Sequence, residues 1–474
     1  MTSFSRRLPR TSPEAAGVDP QAIAKLVDTL DALGGTHSLM VLRHGAVVAE
    51  EWWFPYAPEQ RHMMFSVSKT FTSMAVGLAI AEGLLTVEDR VVDLLPDAVP
   101  AEPSEHLRAM RVRHLLTMTS GHASDSMGAT DRNLSRPEDD WAGAILAVPV
   151  ELEPGSRFVY DTGATYLLSA ILHRLTGQRL LDYLTPRLLA PLGIEDATWE
   201  QDPRGIDVGG FGLSITTEDM AAFGQLLLQR GRWGEAQLVP AEWVDAAMAW
   251  QVDSAPQEWD ADTRVGYGYQ MWQCRSGAVR ADGAFGQFVV VWPEHDVVVA
   301  MTSGSSATQA ELDAVWDCLG GAFGPGAVPA TTEVAPRELQ LPVPAGSAWT
   351  ALADQVDGVT FLLEEDRADA PRRTVTIRRD GALVVLDAGP LQARAAYGTW
   401  AERPEPDSDG LGVAATYGWT DEQTLEVRVA GLGTPFVWTA RLAYAADGRG
   451  VELSVDQNVS FDATALLRAT ARAA

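Results

Sequence analysis

Phe65-Ser66-Val67-Ser68-Lys69-Thr70 is the stretch on which the reading of this chain turns. Of the 36 basic residues only Lys25 and Lys69 are lysines, so 34 (36 − 2) are arginine. Arginine stays protonated at any accessible pH, whereas a buried lysine can release its proton. A lysine kept where arginine otherwise serves points to a task that needs a neutral amine, such as taking the proton of a serine hydroxyl. Ser66 lies one helical turn before Lys69, on the same face. Serine is common, so a given lysine has roughly a one-in-ten chance of such a neighbour. The setting therefore has to decide. Met63, Met64, Phe65, Phe71 and Met74 make it apolar, and desolvation lowers a lysine pKa. Residues 66–82 read as a helix that is apolar on most sides, and hence buried, ended by Gly83. Ser66 sits at its start, where free backbone N–H groups suit an oxyanion. Lys25, in a helix-like run over 21–27, faces water.

Outward from this helix the pattern is mixed. Residues 20–33 predict a helix ended by Gly34, and Ser38–Leu42 with Ala46–Glu50 a hairpin through Arg43-His44-Gly45. Helices follow around 110–119, 163–176, 217–230 and 240–249, then strands at 265–272, 288–292 and 297–301 and a helix at 308–319. Strands at both ends with helices between predict an α+β domain, an antiparallel sheet flanked by helices plus a helical region, over residues 1–322. Five prolines at 323–347 read as a linker. Residues 348–474 show short alternating strands at 359–363, 374–377, 383–386, 424–429, 436–442 and 451–455. That pattern predicts an antiparallel barrel or sandwich of roughly 120 residues.

Composition narrows the function classes. Sixty-four acids against 36 bases give a net charge of −28, which argues against nucleic acid or an anionic membrane as partner. No apolar run reaches the ~18 residues of a membrane span, and the N-terminus lacks the apolar core of a secretory signal, despite Arg6-Arg7. A cytoplasmic protein is expected. Cys274 and Cys318 lack metal-ligand spacing, and reduced thiols are favoured over a disulfide between them. The eight histidines hold no His-Glu-x-x-His, and neither Gly-x-Ser-x-Gly nor Gly-x-x-x-x-Gly-Lys occurs. No metal or cofactor is expected. His114, His122 and His173 read as packing or surface residues, and Trp52, Trp53, Trp141 and Trp259 are candidates for lining a pocket.

Four ordered segments extend the reading: Ser66-Val67-Ser68-Lys69; His114 to Gly121; Gly209 to Met220; and Gly286-Gln287 through Trp292-Pro293-Glu294. Over residues 15–320 the chain resembles the serine β-lactamase and penicillin-binding protein superfamily, particularly its class C-like esterase and 6-aminohexanoate-dimer hydrolase branches. The resemblance implies a β-lactamase-like fold and Ser66 as a nucleophile with Lys69 as its base. The superfamily's Tyr-x-Asn motif corresponds to Tyr160-Asp161-Thr162, with threonine in place of asparagine. It implies that Tyr160 shares a proton network with Lys69 and protonates the leaving group. A phenol beside a cationic lysine is also stabilised as phenolate and could itself act as a base. Losing the asparagine weakens recognition of an acylamino side chain. The Lys-Thr-Gly motif corresponds to Ala281-Asp282-Gly283, with no lysine. A backbone N–H near Gly283 or Ala284 could still complete an oxyanion hole, but the grip on a substrate carboxylate is lost. Asp161, Thr162, Gly283 and Ala284 are the expected oxyanion or substrate-binding positions. The expected activity is hydrolysis of a small neutral or cationic ester or amide through an acyl-enzyme, with β-lactam hydrolysis disfavoured. A slowly acylating or non-catalytic sensor and an acyltransferase are the alternatives.

Overall fold

The computed structural model describes residues 8–130, 139–255, 260–324, 337–363, 374–388, 391–402 and 412–473. Trp259, residues 325–336 of the expected linker and the Arg6-Arg7 pair lie outside them.

Helix α1 (Pro20–Leu33) starts on an Asp19 cap, whose side chain accepts from Gln21 N, and ends at Gly34, which adopts φ 77°. Strands β1 (Thr36–Arg43) and β2 (Ala46–Trp52) form the expected hairpin. The chain then builds helices α2 (Ser68–Ala81), α3 (Thr162–Thr176) and α4 (Thr217–Leu228) and returns to strands β3 (Trp272–Gln273), β4 (Val279–Gly283), β5 (Gln287–Trp292) and β6 (Val297–Ser303), closing with α5 (Thr308–Leu319). The six strands make one antiparallel sheet in the order β2-β1-β6-β5-β4-β3.

Both faces of this sheet are covered, which is why its central strands read as unbroken apolar runs. In β5, Phe288, Val290 and Trp292 join the core shared with α1 and α5. Val289 and Val291 join the core around α2, α3 and α4. Helix α2 lies inside that second core, with every residue from Ser68 to Ala79 buried.

Two expectations change. The strand predicted over 265–272 survives only as β3 and isolated bridges, because Gly266 (φ 148°) and Gln270 (φ 67°) take left-handed conformations that a strand cannot include. The helix predicted over 110–119 shrinks to Val112–Leu116, with Met118 at φ 57° beyond it.

The C-terminal unit is a barrel. Strands β7 (Thr360–Leu363), β8 (Thr374–Asp380), β9 (Leu383–Ala388), β10 (Leu391–Tyr397), β11 (Val413–Trp419), β12 (Thr424–Gly431), β13 (Val437–Tyr444), β14 (Gly450–Gln457) and β15 (Ala465–Ala473) run in the order β10-β9-β8-β7-β15-β14-β13-β12-β11. Parallel pairing of Ala396 with Thr416 and Tyr397 with Tyr417 closes the ring. Phe361, Trp419, Leu442 and Tyr444 lie in its buried core. The barrel is seated on the first unit through a shared apolar cluster that includes Trp53, Tyr56, Leu341, Trp400 and Leu432. Leu341, in the C-terminal part of the expected linker, is thus a core residue.

Candidate active site

The turn before α2 is a single 3-10 turn, Phe65–Val67, with no side-chain cap and with Phe65 in a left-handed conformation at φ 45°. A bulky residue held there is strained, and such strain gathers where a side chain must be aimed. Ser66 follows it and opens into a cleft of about 780 Å³ lined also by Tyr160, Thr162, Gly283 and Ala284.

Lys69, in the first turn of α2, is 1% exposed. Its Nζ donates to Ser66 Oγ at 2.9 Å, to the Gly210 carbonyl at 2.7 Å and, more weakly, to Thr162 Oγ1 at 3.4 Å. Burial lowers its pKa to about 8, against the opposing pull of Asp125 and Asp161. Three N–H bonds thus meet three acceptors. Once the amine is neutral, two N–H bonds suffice for Gly210 and Thr162, and the lone pair is left for the Ser66 hydroxyl.

Tyr160 also hydrogen-bonds Ser66, stacks on Trp272 at 5.6 Å and places its ring centroid 5.0 Å from Lys69 Nζ. Its phenol is pushed well above the ordinary value by burial, which outweighs the lowering by the Ser66 hydrogen bond, and the charges of Asp282 and Asp125 push the same way as burial. Desolvation thus opposes the phenolate that a nearby cation would favour, and the direction of this shift supports a protonated Tyr160.

Asp161 stands apart from the cleft. It is fully buried and caps α3 by accepting from Ala164 N. Ser120 Oγ, His122 Nδ1, Ser126 N and Ser126 Oγ all donate to it within 2.9 Å. Burial raises its pKa, but the His122 and Ser126 bonds bring it below the usual carboxylate value. It is a buried anion that fixes residues 120–126 against the start of α3. Those residues deliver Asp125, which accepts from Thr162 N at 2.9 Å and lines the cleft.

On the opposite wall β4 ends at Gly283. A Cβ there would overlap the carbonyl oxygen of Met64, so only glycine lets this strand approach the turn that carries Ser66. Ala284 follows, beside the cleft. Asp282 is answered by the buried guanidinium of Arg280 at 2.7 Å. Among the described residues the tryptophan lining the cleft is Trp272; Trp53 and Trp141 are core residues and Trp52 packs against the core. Both cysteines are buried free thiols. Among the described residues there is no cluster able to hold a metal ion, and no helix is long and apolar enough to cross a membrane.

A serine at a helix start, a buried lysine behind it and an antiparallel strand opposite define a serine hydrolase scaffold. The chain belongs to the beta-lactamase family, whose model matches residues 21–317, more than half of its length. It is 26% identical over 314 residues to 6-aminohexanoate-dimer hydrolase of Paenarthrobacter ureafaciens, covering 60% of this chain and 80% of that one. It is 28% identical over 317 residues to penicillin-binding protein 4 of Amycolatopsis lactamdurans, covering 57% and 81%. The structure of SurE with D-Leu matches at 21% identity and TM-score 0.52, covering 97% of this chain and 99% of that one, so the likeness of fold runs through the barrel.

Sequence reasoning had named Ser66, Lys69, Tyr160, Thr162, Gly283 and Ala284, which all meet at the cleft or border it. It missed Asp125, the Gly210 carbonyl and Arg280. Gly210 lay within a segment already singled out, and its contact with Lys69 spans 141 residues.

Proposed function

We propose that the protein cleaves an ester or amide bond through an acyl-enzyme on Ser66, with Lys69 as base and Tyr160 as proton carrier. The observation that carries this reading is the buried Lys69 amine, 2.9 Å from Ser66 Oγ and titrating near 8. Neutral Lys69 takes the Ser66 proton as Oγ attacks the carbonyl. The oxyanion forms toward the backbone N–H groups of Ser66 and Ala284. Tyr160, a phenol hydrogen-bonded to Ser66, passes a proton to the departing alcohol or amine and recovers one from Lys69. Water then attacks the acyl-enzyme with Lys69 again as base, releasing the acid and restoring Ser66. An alcohol or amine in place of that water would make the same site an acyltransferase.

The identity with a 6-aminohexanoate-dimer hydrolase supports an amide or ester of modest size. Arg280 is held by Asp282, so strand β4 offers no uncommitted cation to a β-lactam carboxylate, and penicillin hydrolysis is disfavoured. The test is turnover of p-nitrophenyl acetate or butyrate by wild type, Ser66→Ala and Lys69→Arg. Loss in both variants is expected; wild-type turnover in both would contradict the proposal. A fluorophosphonate adduct on Ser66 without any turnover would instead assign a sensor.

A further inference from the structure

Two loops of the barrel reach into the cleft. Phe436, between β12 and β13, lies 6.4 Å from Phe65 and 6.1 Å from Phe285. Phe461, between β14 and β15, lies 6.0 Å from Phe65 and 4.8 Å from Phe285. Phe65 precedes the nucleophile and Phe285 follows Ala284, and their rings meet edge-on at 5.4 Å. All four line the cleft, yet Phe461 is 72% exposed. An aromatic ring left that open beside a nucleophile is a surface waiting for an apolar group.

The loops are fixed in place. Gly433 O accepts from Met63 N at 2.8 Å and Thr434 O accepts from Tyr56 Oη at 2.9 Å. Asn458 Nδ2 donates to Gly304 O at 2.7 Å and to Pro435 O at 2.9 Å, tying both loops to the end of β6. Gly304 is required at that junction, since a Cβ would overlap the Pro435 carbonyl. The barrel's interior is occupied by its own core, so what it offers a ligand at the active site is these loop tips.

The direction of the four rings from Ser66 says which part of a substrate they meet. Tyr160, the proton carrier, contacts Trp272, Tyr267 and Lys69. The phenylalanines instead flank the two oxyanion donors and contact one another. With the leaving group drawn toward Tyr160 and the oxygen toward the backbone donors, the acyl substituent takes the phenylalanine side. Elsewhere the cleft carries Asp125, Glu200 and Asp260 besides the mutually compensated Asp282–Arg280 pair, so an anionic acyl group is repelled.

We propose that the barrel is a specificity element: Phe436 and Phe461 complete an aromatic acyl pocket that selects esters or amides with an aromatic or bulky apolar acyl group. The proposal rests on the Ser66 acyl-enzyme reading. It is tested with p-nitrophenyl phenylacetate and p-nitrophenyl acetate, which share a leaving group, on the full-length wild type, Phe461→Ala, Phe436→Ala and Phe461→Leu. Wild type should favour the phenylacetate in kcat/KM. Each alanine variant should lose about tenfold on the phenylacetate and no more than about twofold on the acetate, with leucine restoring most of the loss. Parallel loss on both esters, or no loss on the phenylacetate, overturns the acyl pocket while leaving Ser66 chemistry intact. A wild type that cleaves neither ester overturns the hydrolase reading itself.

Discussion

On the proposed mechanism, the protonation of Lys69 should set the pH at which this site works. Its folded pKa of about 8 lies below the ordinary 10.5, chiefly through burial. Each pKa unit is about 1.4 kcal/mol, so the fold disfavours this ammonium by roughly 3 kcal/mol. At pH 7 a group titrating near 8 is neutral in about one molecule in ten, against about three in ten thousand at the ordinary value, a gain of roughly 300-fold in active base. If neutral Lys69 abstracts the Ser66 proton, kcat/KM for p-nitrophenyl acetate should climb about tenfold per pH unit from 6 to 7.5 and level off above about 8.5. Tyr160, with its phenol raised, adds no falling limb below pH 9. Lys69→Arg keeps the charge but not the base, and should lose at least about a thousandfold at pH 8 with a flat profile. The assay is initial-rate hydrolysis from pH 5.5 to 9.5, with Ser66→Ala subtracting spontaneous ester cleavage. A wild-type profile flat across pH 6–9, or one whose rising limb persists in Lys69→Arg, would refute the reasoning.

Three further outcomes are expected. Glu311 on α5 is fully buried behind the 284–286 turn, where burial raises its carboxyl from 4.5 to about 8. The unfolded chain ionises first, so stability is full below about pH 4.5 and falls until about pH 8, by up to about 5 kcal/mol; Glu311→Gln should flatten this slope in Tm measured from pH 5 to 8. Gly283→Ala would drive a methyl into the Met64 carbonyl and should cut kcat by roughly a hundredfold, with far-UV circular dichroism unchanged. Asp161→Ala strips His122 and Ser126 of a buried acceptor and should cost about 3 kcal/mol in urea unfolding, with activity falling as Asp125 shifts.

Much of this was legible in the sequence, for identifiable reasons. Ser66 and Lys69 are one helical turn apart, so local geometry alone brings them together. Strands β5 and β6, buried on both faces, announce themselves as apolar runs. Strands β10 and β15 do not: Ala465-Leu466-Leu467-Arg468-Ala469-Thr470-Ala471 is rich in helix formers, and only pairing with β14 and β7 makes it a strand. The irregular path over 265–271 depends on Gln270, whose side chain donates to the carbonyls of Leu115 and Leu116 and accepts from Thr165 Oγ1. The barrel-or-sandwich choice turned on two residue pairs, Ala396–Thr416 and Tyr397–Tyr417, that no periodicity announces. Phe436 and Phe461 lie some 370 and 395 residues beyond Ser66, and the pairing of Arg280 with Asp282 is a contact that the motif alone does not show. The protonation of Tyr160 depends on burial, which spacing cannot report.

The central claim is a covalent intermediate on Ser66 formed with Lys69 as base. Its most direct test is intact-protein mass spectrometry, with peptide mapping, of rapidly acid-quenched mixtures with p-nitrophenyl butyrate. One butyryl group should sit on Ser66 in the wild type, be absent in Ser66→Ala, and form far more slowly in Lys69→Arg. Undiminished turnover by Ser66→Ala, or the same adduct formed at an unchanged rate in Lys69→Arg, would contradict it.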